Sequence, residues 1–251
     1  RDILGTQLIR RNDELALLYE KIKIQRGAIS QGEIAYRDRL EDLRVLQSDH
    51  HSPLGTWLAP VLVDAIDAAA AASAAGETEG VAGRLAALYD TDAARFDDVA
   101  ARMEDWRKRG YAAEAGVKTF YYGPPTAEQQ ADAVSTTIFN AWMGPFISKA
   151  IDDEGMPRGD RGSFGMLRVM LESRGAGNPG GFASYNPVTQ ESVYWDILST
   201  PEVESSDEIA MLALVQALEF LQSPSDDGNG GFGTANPDEW LWGLKHWVVF
   251  E

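Results

Sequence analysis

The sequence contains no cysteine and only three histidines among its 251 residues. Disulfides, thiolate metal sites and a cysteine nucleophile are therefore excluded, while the redox compartment stays open. The chain is long enough to bury a core without a covalent staple, as one large domain or two small ones. It also has no long apolar run, because the longest stretch of small apolar residues, 68–75, is far short of the roughly 20 residues that a membrane span requires. We therefore expect no membrane span.

Basic residues are scarce, and they are unevenly placed. Residues 1–47 carry 9 Lys+Arg and 8 Asp+Glu, whereas the remaining residues carry 13 and 31, within a net charge of -17. An acidic surface of that size keeps a protein soluble and repels phosphate backbones and anionic lipid. We expect no nucleic-acid partner for the downstream part. Since the chain opens with Arg1 rather than Met and ends in an apolar run at Glu251, we also expect both ends to be cut, so that the missing signal peptide leaves localisation open.

Residues 1–47 predict a coiled-coil-like amphipathic helix. One column of apolar residues recurs every seven positions: Leu8, Leu15, Ile22, Ile29, Tyr36 and Leu43. The companion column is apolar only at Leu18 and Leu46, and Gly27 and Gly32 each cost up to about 1 kcal/mol relative to Ala. Such a helix is marginal by itself, so we expect it to pair with a coiled-coil partner through residues 8–46.

The strings DILGTQLIRRNDELALLYEKIKIQ and GEIAYRDRLEDLR are more specific than a shared heptad. Over residues 1–46 they resemble the coiled-coil segment of the cilia- and flagella-associated protein fifty-eight family. The resemblance implies a structural scaffold of the eukaryotic axoneme with no enzymatic activity. A generic charged helix is the alternative interpretation.

The rest of the chain is expected to be mainly helical. We expect Pro53 to end the first helix, and apolar spacing then predicts helices at residues 56–75, 81–89, 90–109, 131–151, 164–172 and 206–221. Thr126 with residues 128–129 marks one helix start, and residues 200–202 mark another. Alternating apolar residues from Trp240 to Phe250 predict a strand. The predicted fold class is therefore mainly α with minor β (α+β).

Loop glycines and acidic residues give two weak motif matches. Gly175, Gly177 and Gly180 fit a GxGxxG pattern, but no strand precedes it and no helix follows, so a plain loop is the better interpretation than a dinucleotide site. The run Asp226–Gly231 resembles a calcium loop, but Phe232 stands where the turn glycine belongs. We interpret that run as a flexible connection.

The histidines and paired carboxylates also favour structural roles. His50 and His51 point different ways on any regular structure, which argues against a zinc site with Asp49. His246 alternates with apolar residues, so we expect a hydrogen-bonded histidine on a packed strand. The pairs Asp97–Asp98 and Asp152–Asp153 lie in polar sequence and are expected to be solvated.

Four further segments occur in an order that resembles one enzyme family. They are LQSDHHSPLGTWLAPVLVDAI, VSTTIFNAWMGPFI, VYWDILSTPEVESSDEIAMLALVQALEFL and NPDEWLWGLKHWVVF, the last with Trp242, Gly243 and His246 as a WGxxH string. Over residues 40–251 they resemble part of the β-subunit of penicillin amidases (penicillin acylases), which are N-terminal nucleophile hydrolases. The resemblance implies the helical part of an αββα fold that lacks most of its central sheet.

The penicillin amidase resemblance implies hydrolysis of acyl amides by an N-terminal Ser, whose α-amine is the base and whose oxyanion is held by an Asn and a backbone N–H. In that family the nucleophile, this Asn and the calcium ligands lie upstream of the LQxD helix, where this chain has its coiled-coil segment. Ser48, Ser52 and Asn140 match none of them. We therefore assign no catalytic, cofactor-binding or metal residue, and calcium is expected only for the complete family enzyme.

The sequence thus predicts two parts, a coiled-coil-like helix over residues 1–47 and a penicillin amidase-like fragment over residues 48–251. The fragment would act on an acyl amide only if the missing part were supplied, so whether this chain is an enzyme stays open. The alternatives are a coiled-coil structural protein of the cilium or flagellum, and a chimeric chain with no evolved function. The hydrolase interpretation implies a periplasmic or extracellular location, and the coiled-coil interpretation an axonemal one.

Overall fold

Helices form most of the regular structure in this computed structural model. The structure describes residues 53–118, 123–152, 167, 170–171, 185–186, 189, 191–225 and 230–245, which belong to one unit spanning residues 51–251. The predicted coiled-coil helix and its junction with the rest of the chain lie outside the described residues. The helix of residues 1–47 and the domain boundary at residue 47 therefore stay predictions.

Five long helices carry the described fold. They are α1 (Pro53–Ala75), α2 (Gly80–Asp90), α3 (Ala93–Lys108), α4 (Ala127–Ile151) and α5 (Ser206–Gln222). Leu167 and residues 170–171 are helical as well, within the span where a short helix is predicted. Two-residue strands, β1 (Tyr185–Asn186) and β2 (Glu191–Ser192), pair in antiparallel fashion. The prediction of a mainly α chain with little strand is confirmed.

The core lies where α1 packs against α2, α3 and α5, and where α5 packs against α4. Leu58, Leu62, Ala65 and Ala69 of α1 are all 0% exposed. By length and composition alone, Leu54–Ala75 would suffice to cross a membrane, and among the described helices it is a single candidate. A helix that lies in a protein core meets the same test, and 44% of the apolar window in α1 is buried in the structure.

A row of aromatic side chains runs through the core between α3, α4 and the turn after β2. Successive ring centroids lie 5.5 Å apart from Trp106 to Phe139, 6.0 Å from Phe139 to Trp142, 4.5 Å from Trp142 to Phe146 and 5.7 Å from Phe146 to Trp195. Aromatic side chains bury large areas and contribute beyond that area when their rings pair. The row therefore holds α4 in place, and α4 carries Thr137 and Asn140, two of the residues discussed below.

The strand predicted from Trp240 onward is wrong for the described residues 240–245. The chain instead forms 3-10 turns at Pro237–Glu239 and Trp242–Leu244. Burial does not follow the alternation either, because Trp240 is 0% exposed whereas Leu244 is 53% exposed. The turn is held by the Gly243 N–H, which donates to the Ala115 carbonyl at 2.8 Å, in a contact so close that a Cβ on Gly243 would lie 2.5 Å from Val117 Cγ2. A period of two needs a neighbouring strand, and none pairs with residues 240–245 in the described structure.

Candidate functional site

Most of the residues weighed from sequence fall outside the described structure. This applies to Ser48, Asp49, His50, His51, Ser52, Asp153, Gly175, Gly177, Gly180 and His246, and to residues 226–229 of the acidic loop. Their assignments stay predictions. Among the described residues, no group of three or more His, Asp or Glu side chains could hold a metal ion.

The described members of the paired carboxylates have partners. Asp97 accepts a hydrogen bond from the Tyr89 hydroxyl at 2.6 Å, which raises the pKa of Tyr89 above its ordinary value. Asp98 forms an ion pair with Arg102 at 2.7 Å, and Asp152 accepts a hydrogen bond from the Ser148 hydroxyl. Asp97 and Asp98 are therefore not paired with each other, because each carboxylate binds a different group.

A cleft of about 410 Å³ lies between α4, the end of α5 and the turn at residues 242–244. Its lining residues are Thr137, Asn140, Ala141, Phe220, Leu221, Gly230, Phe232, Trp242 and Lys245. Clefts of this size with apolar walls and a few polar groups are the usual shape of small-molecule sites. Asn140, which matches no catalytic residue from sequence, is thus a cleft residue.

Local hydrogen bonds explain how the cleft keeps its wall at Phe232. The Gly231 N–H donates to Ser223 Oγ at 2.9 Å, and the Phe232 N–H donates to the Leu221 carbonyl at 2.7 Å. A Cβ on Gly231 would lie 2.0 Å from the Phe220 carbonyl oxygen, so only glycine permits this approach. The segment after α5 therefore turns back along the helix end and brings Phe232 beside Phe220.

A second polar cluster surrounds the N-terminus of α5. It contains three buried carboxylates, Glu191 at 8% exposure, Glu204 at 6% and Glu208 at 2%. Glu208 accepts the Ser205 N–H at 3.0 Å while its own N–H donates to Ser205 Oγ, and its carboxylate also binds Arg84 Nε at 2.6 Å. This capping box satisfies helix donors that have no partner within the helix. The predicted helix at residues 206–221 is confirmed, but the start signal assigned to residues 200–202 is wrong, because the cap is at Ser205.

In the other two glutamates of this cluster, both carboxylate oxygens also accept hydrogen bonds. Glu191 accepts both the N–H and the hydroxyl of Ser206, at 2.7 and 2.6 Å. Glu204 accepts the Ile197 N–H at 2.8 Å and the Thr200 hydroxyl at 2.7 Å. A carboxylate whose two oxygens are held by fixed donors is poorly placed to move a proton or bind a cation. The cluster is therefore structural.

Two arginines compensate buried carboxylates in different ways. Arg84 is hydrogen-bonded to Glu208, and this bond is the main reason that the pKa of Arg84 is raised above its ordinary value. Arg109 Nε donates to Asp132 Oδ1 at 2.6 Å, but burial still raises the pKa of Asp132. An acid with a raised folded-state pKa stabilises the fold as pH falls through that pKa, and this contribution is lost again as pH rises. Asp132 of α4 is thus paired with Arg109, which directly follows α3, and it does not line the cleft.

Comparison with known proteins finds relatives of the N-terminal segment. Residues 1–52 match the family model of the CFAP58 central coiled coil. Cilia- and flagella-associated protein 58 of Homo sapiens is 68% identical over 47 residues, which are 19% of this chain and 5% of that protein. The protein of that name from Chlamydomonas reinhardtii is 64% identical over 47 residues, again 19% of this chain and 5% of the relative.

These matches cover a small part of this chain and a smaller part of each relative. The chain spans about 5% of the length of the curated relatives that it matches. None of these relatives is a penicillin amidase. No solved structure matches the chain.

Proposed function

We propose that this chain is a coiled-coil structural protein of the cilium or flagellum, acting through its first 52 residues. The observation that carries the proposal is the 68% identity over 47 residues to a cilia- and flagella-associated protein. An identity that high extends beyond the two core positions of each heptad, so it supports more than a shared heptad period. The location that follows from this proposal is axonemal.

The pattern of residues 1–46 supports pairing with another coiled-coil helix. One complete apolar column at Leu8, Leu15 and the positions seven apart gives a narrow seam, while the companion column is mostly polar. A helix with such a seam gains most of its stability from the helix that covers it. The partner is therefore a second amphipathic helix, either from another copy of this chain or from an axonemal coiled coil.

Leu15→Asp in the full chain is expected to weaken coiled-coil association about 30-fold, because it puts a charge in the seam at a cost of roughly 2 kcal/mol. Sedimentation equilibrium measures this, with the chain alone and mixed with the central coiled coil of the Chlamydomonas reinhardtii relative. Leu17→Asp is the matched control, since it makes the same substitution two residues away and outside both columns. Equal association constants for the two variants, or no association of the unmodified chain in either experiment, would overturn the proposal.

The resemblance of residues 40–251 to penicillin amidases supports a second candidate function for that part, a fragment of an acyl-amide hydrolase with an incomplete αββα fold. Its support is the ordered resemblance of four segments, one of which lies within α4 and another of which covers Ser205 and nearly all of α5. Because the family's nucleophile region is missing, we expect no hydrolysis of a chromogenic acyl-anilide by the purified chain. Turnover that disappears with an inhibitor of a serine nucleophile would contradict that expectation.

A further inference from the structure

We propose that the cleft between α4, the end of α5 and the turn at residues 242–244 binds a small aromatic monoanion whose ring carries a hydrogen-bonding group. The proposal is independent of the coiled-coil function, since every residue it uses lies between positions 137 and 245. Three features of the lining determine the ligand class. They are its aromatic walls, one cation at Lys245 and two polar side chains on α4.

The aromatic walls are open to a ligand. Phe220 is 48% exposed although it is large and apolar, and Phe232 and Trp242 complete the same cleft. Exposing an aromatic ring at the mouth of a concave site is unfavourable unless something covers it. A flat ring fits between such walls because aromatic pairs gain energy beyond the area that they bury. A volume of about 410 Å³ is enough for one substituted ring.

Lys245 supplies the charge that would recognise an anion. Its ammonium donates to Ser225 Oγ at 2.8 Å and lies 5.5 Å from the centroid of the Phe232 ring. These contacts hold the ammonium at the cleft and, since an ammonium has three donors, leave at least one donor without a partner among the described residues. In the part of the chain that the structure describes, Lys245 has no carboxylate partner. By contrast, ion pairs are formed by Arg84, Arg95, Arg102, Arg107, Lys108 and Arg109.

Two side chains of α4 offer hydrogen bonds to the ligand ring. Asn140 Nδ2 donates to the Thr136 carbonyl at 2.8 Å, which leaves its second N–H and its Oδ1 without a partner among the described residues. Thr137, only 4% exposed, donates its hydroxyl to the Ala133 carbonyl and keeps acceptor capacity. A phenolic hydroxyl on the ligand can therefore donate to Asn140 Oδ1. One acidic group is preferred over several, because the net charge of -17 repels polyanions.

The probe is 4-hydroxybenzoate, titrated into the full chain and followed by saturation-transfer NMR. We expect saturable binding with a Kd on the order of 1 mM, as for a ligand of few atoms. Benzoate, which lacks the hydroxyl, is expected to bind about 5-fold more weakly, and 4-hydroxybenzyl alcohol, which lacks the charge, about 10-fold more weakly. No saturation by about 10 mM of 4-hydroxybenzoate, tenfold above the expected Kd, would overturn the proposal.

Variants assign the binding to the cleft. Lys245→Met is expected to weaken 4-hydroxybenzoate about 10-fold and to leave 4-hydroxybenzyl alcohol unchanged. Asn140→Ala should weaken 4-hydroxybenzoate to the level of benzoate without changing benzoate itself. Lys108→Met removes the same charge from an exposed position on α3 and should change nothing. Phe220→Ala, at a residue that is already exposed and so tolerates truncation, should weaken both acids. If Lys108→Met and Lys245→Met reduce binding equally, the anion is attracted by net charge and the proposed site is wrong.

Discussion

Glu208→Ala is expected to lower the free energy of unfolding of this chain by about 3 kcal/mol. The substitution removes the cap on the Ser205 N–H and the ion pair in which Arg84 Nε and Nη2 bind the carboxylate at 2.6 and 3.0 Å. Glu208 is 2% exposed at its side chain, so water cannot replace these contacts without opening the packing of α2 on α5. Arg84 is 34% exposed and can rehydrate, which keeps the loss below that of an ion pair with both partners buried.

Urea unfolding of the full chain, followed by circular dichroism, measures the effect of Glu208→Ala. Glu219→Ala is the matched control, because it removes the same side chain from an exposed position on the same helix, and it should cost less than about 0.5 kcal/mol. Glu208→Gln separates the two roles, since a glutamine at this position still accepts the Ser205 N–H but carries no charge. A loss for Glu208→Ala no larger than for Glu219→Ala would show that the cluster does not hold α5.

Local sequence patterns predicted the helices because the interactions that define them lie within a few residues. Phe96, Val99, Met103 and Trp106, spaced three or four apart, are all buried on α3. The start of α4 was equally local, since the Thr126 N–H donates to Gln129 Oε1 at 3.0 Å and the Gln129 N–H donates to Thr126 Oγ1 at 3.2 Å. These features depend on spacing alone, so they can be read before any tertiary contact is known.

The two polar sites could not be predicted because their members are distant in sequence. Arg84 and Glu208 are 124 residues apart, and only the packing of α2 against α5 brings them together. The cleft joins Asn140 to Phe220 and Lys245 in the same way. The opposite error occurred at residues 240–245, where a local alternation predicted a strand. A strand needs a neighbouring strand to pair with, and the described structure has none beside these residues. Sequence periodicity identifies which face is apolar but not what that face contacts.

Similarity and geometry concern different parts of this chain. The identity to cilia- and flagella-associated proteins lies in residues 1–52, whereas the cleft and the cluster around Glu208 lie in residues 53–245. A function assigned to residues 1–52 therefore does not explain the cleft or the Glu208 cluster in residues 53–245. The ligand titration and the association measurement are independent for that reason, and each can fail without affecting the other.

Trp142→Ala is expected to lower the free energy of unfolding by about 4 kcal/mol. The Trp142 side chain is 0% exposed and its ring is stacked on Phe146 at 4.5 Å. Its indole N–H donates to the Ala210 carbonyl at 2.9 Å, so the same side chain links α4 to α5. Truncation would leave a cavity in the middle of the aromatic row, with neighbours on rigid helices that cannot collapse into it.

Chemical unfolding at equilibrium tests this, with Trp57→Ala of α1 as the control for loss of an indole from a half-buried position. We expect the control to cost less than half as much, because surrounding solvent already contacts that ring. Trp142→Phe keeps the stacking on Phe146 and removes the hydrogen bond to Ala210, so it should cost about 1 to 2 kcal/mol. If Trp142→Phe were as damaging as Trp142→Ala, the link between α4 and α5 would depend on the indole N–H and not on the volume of the ring.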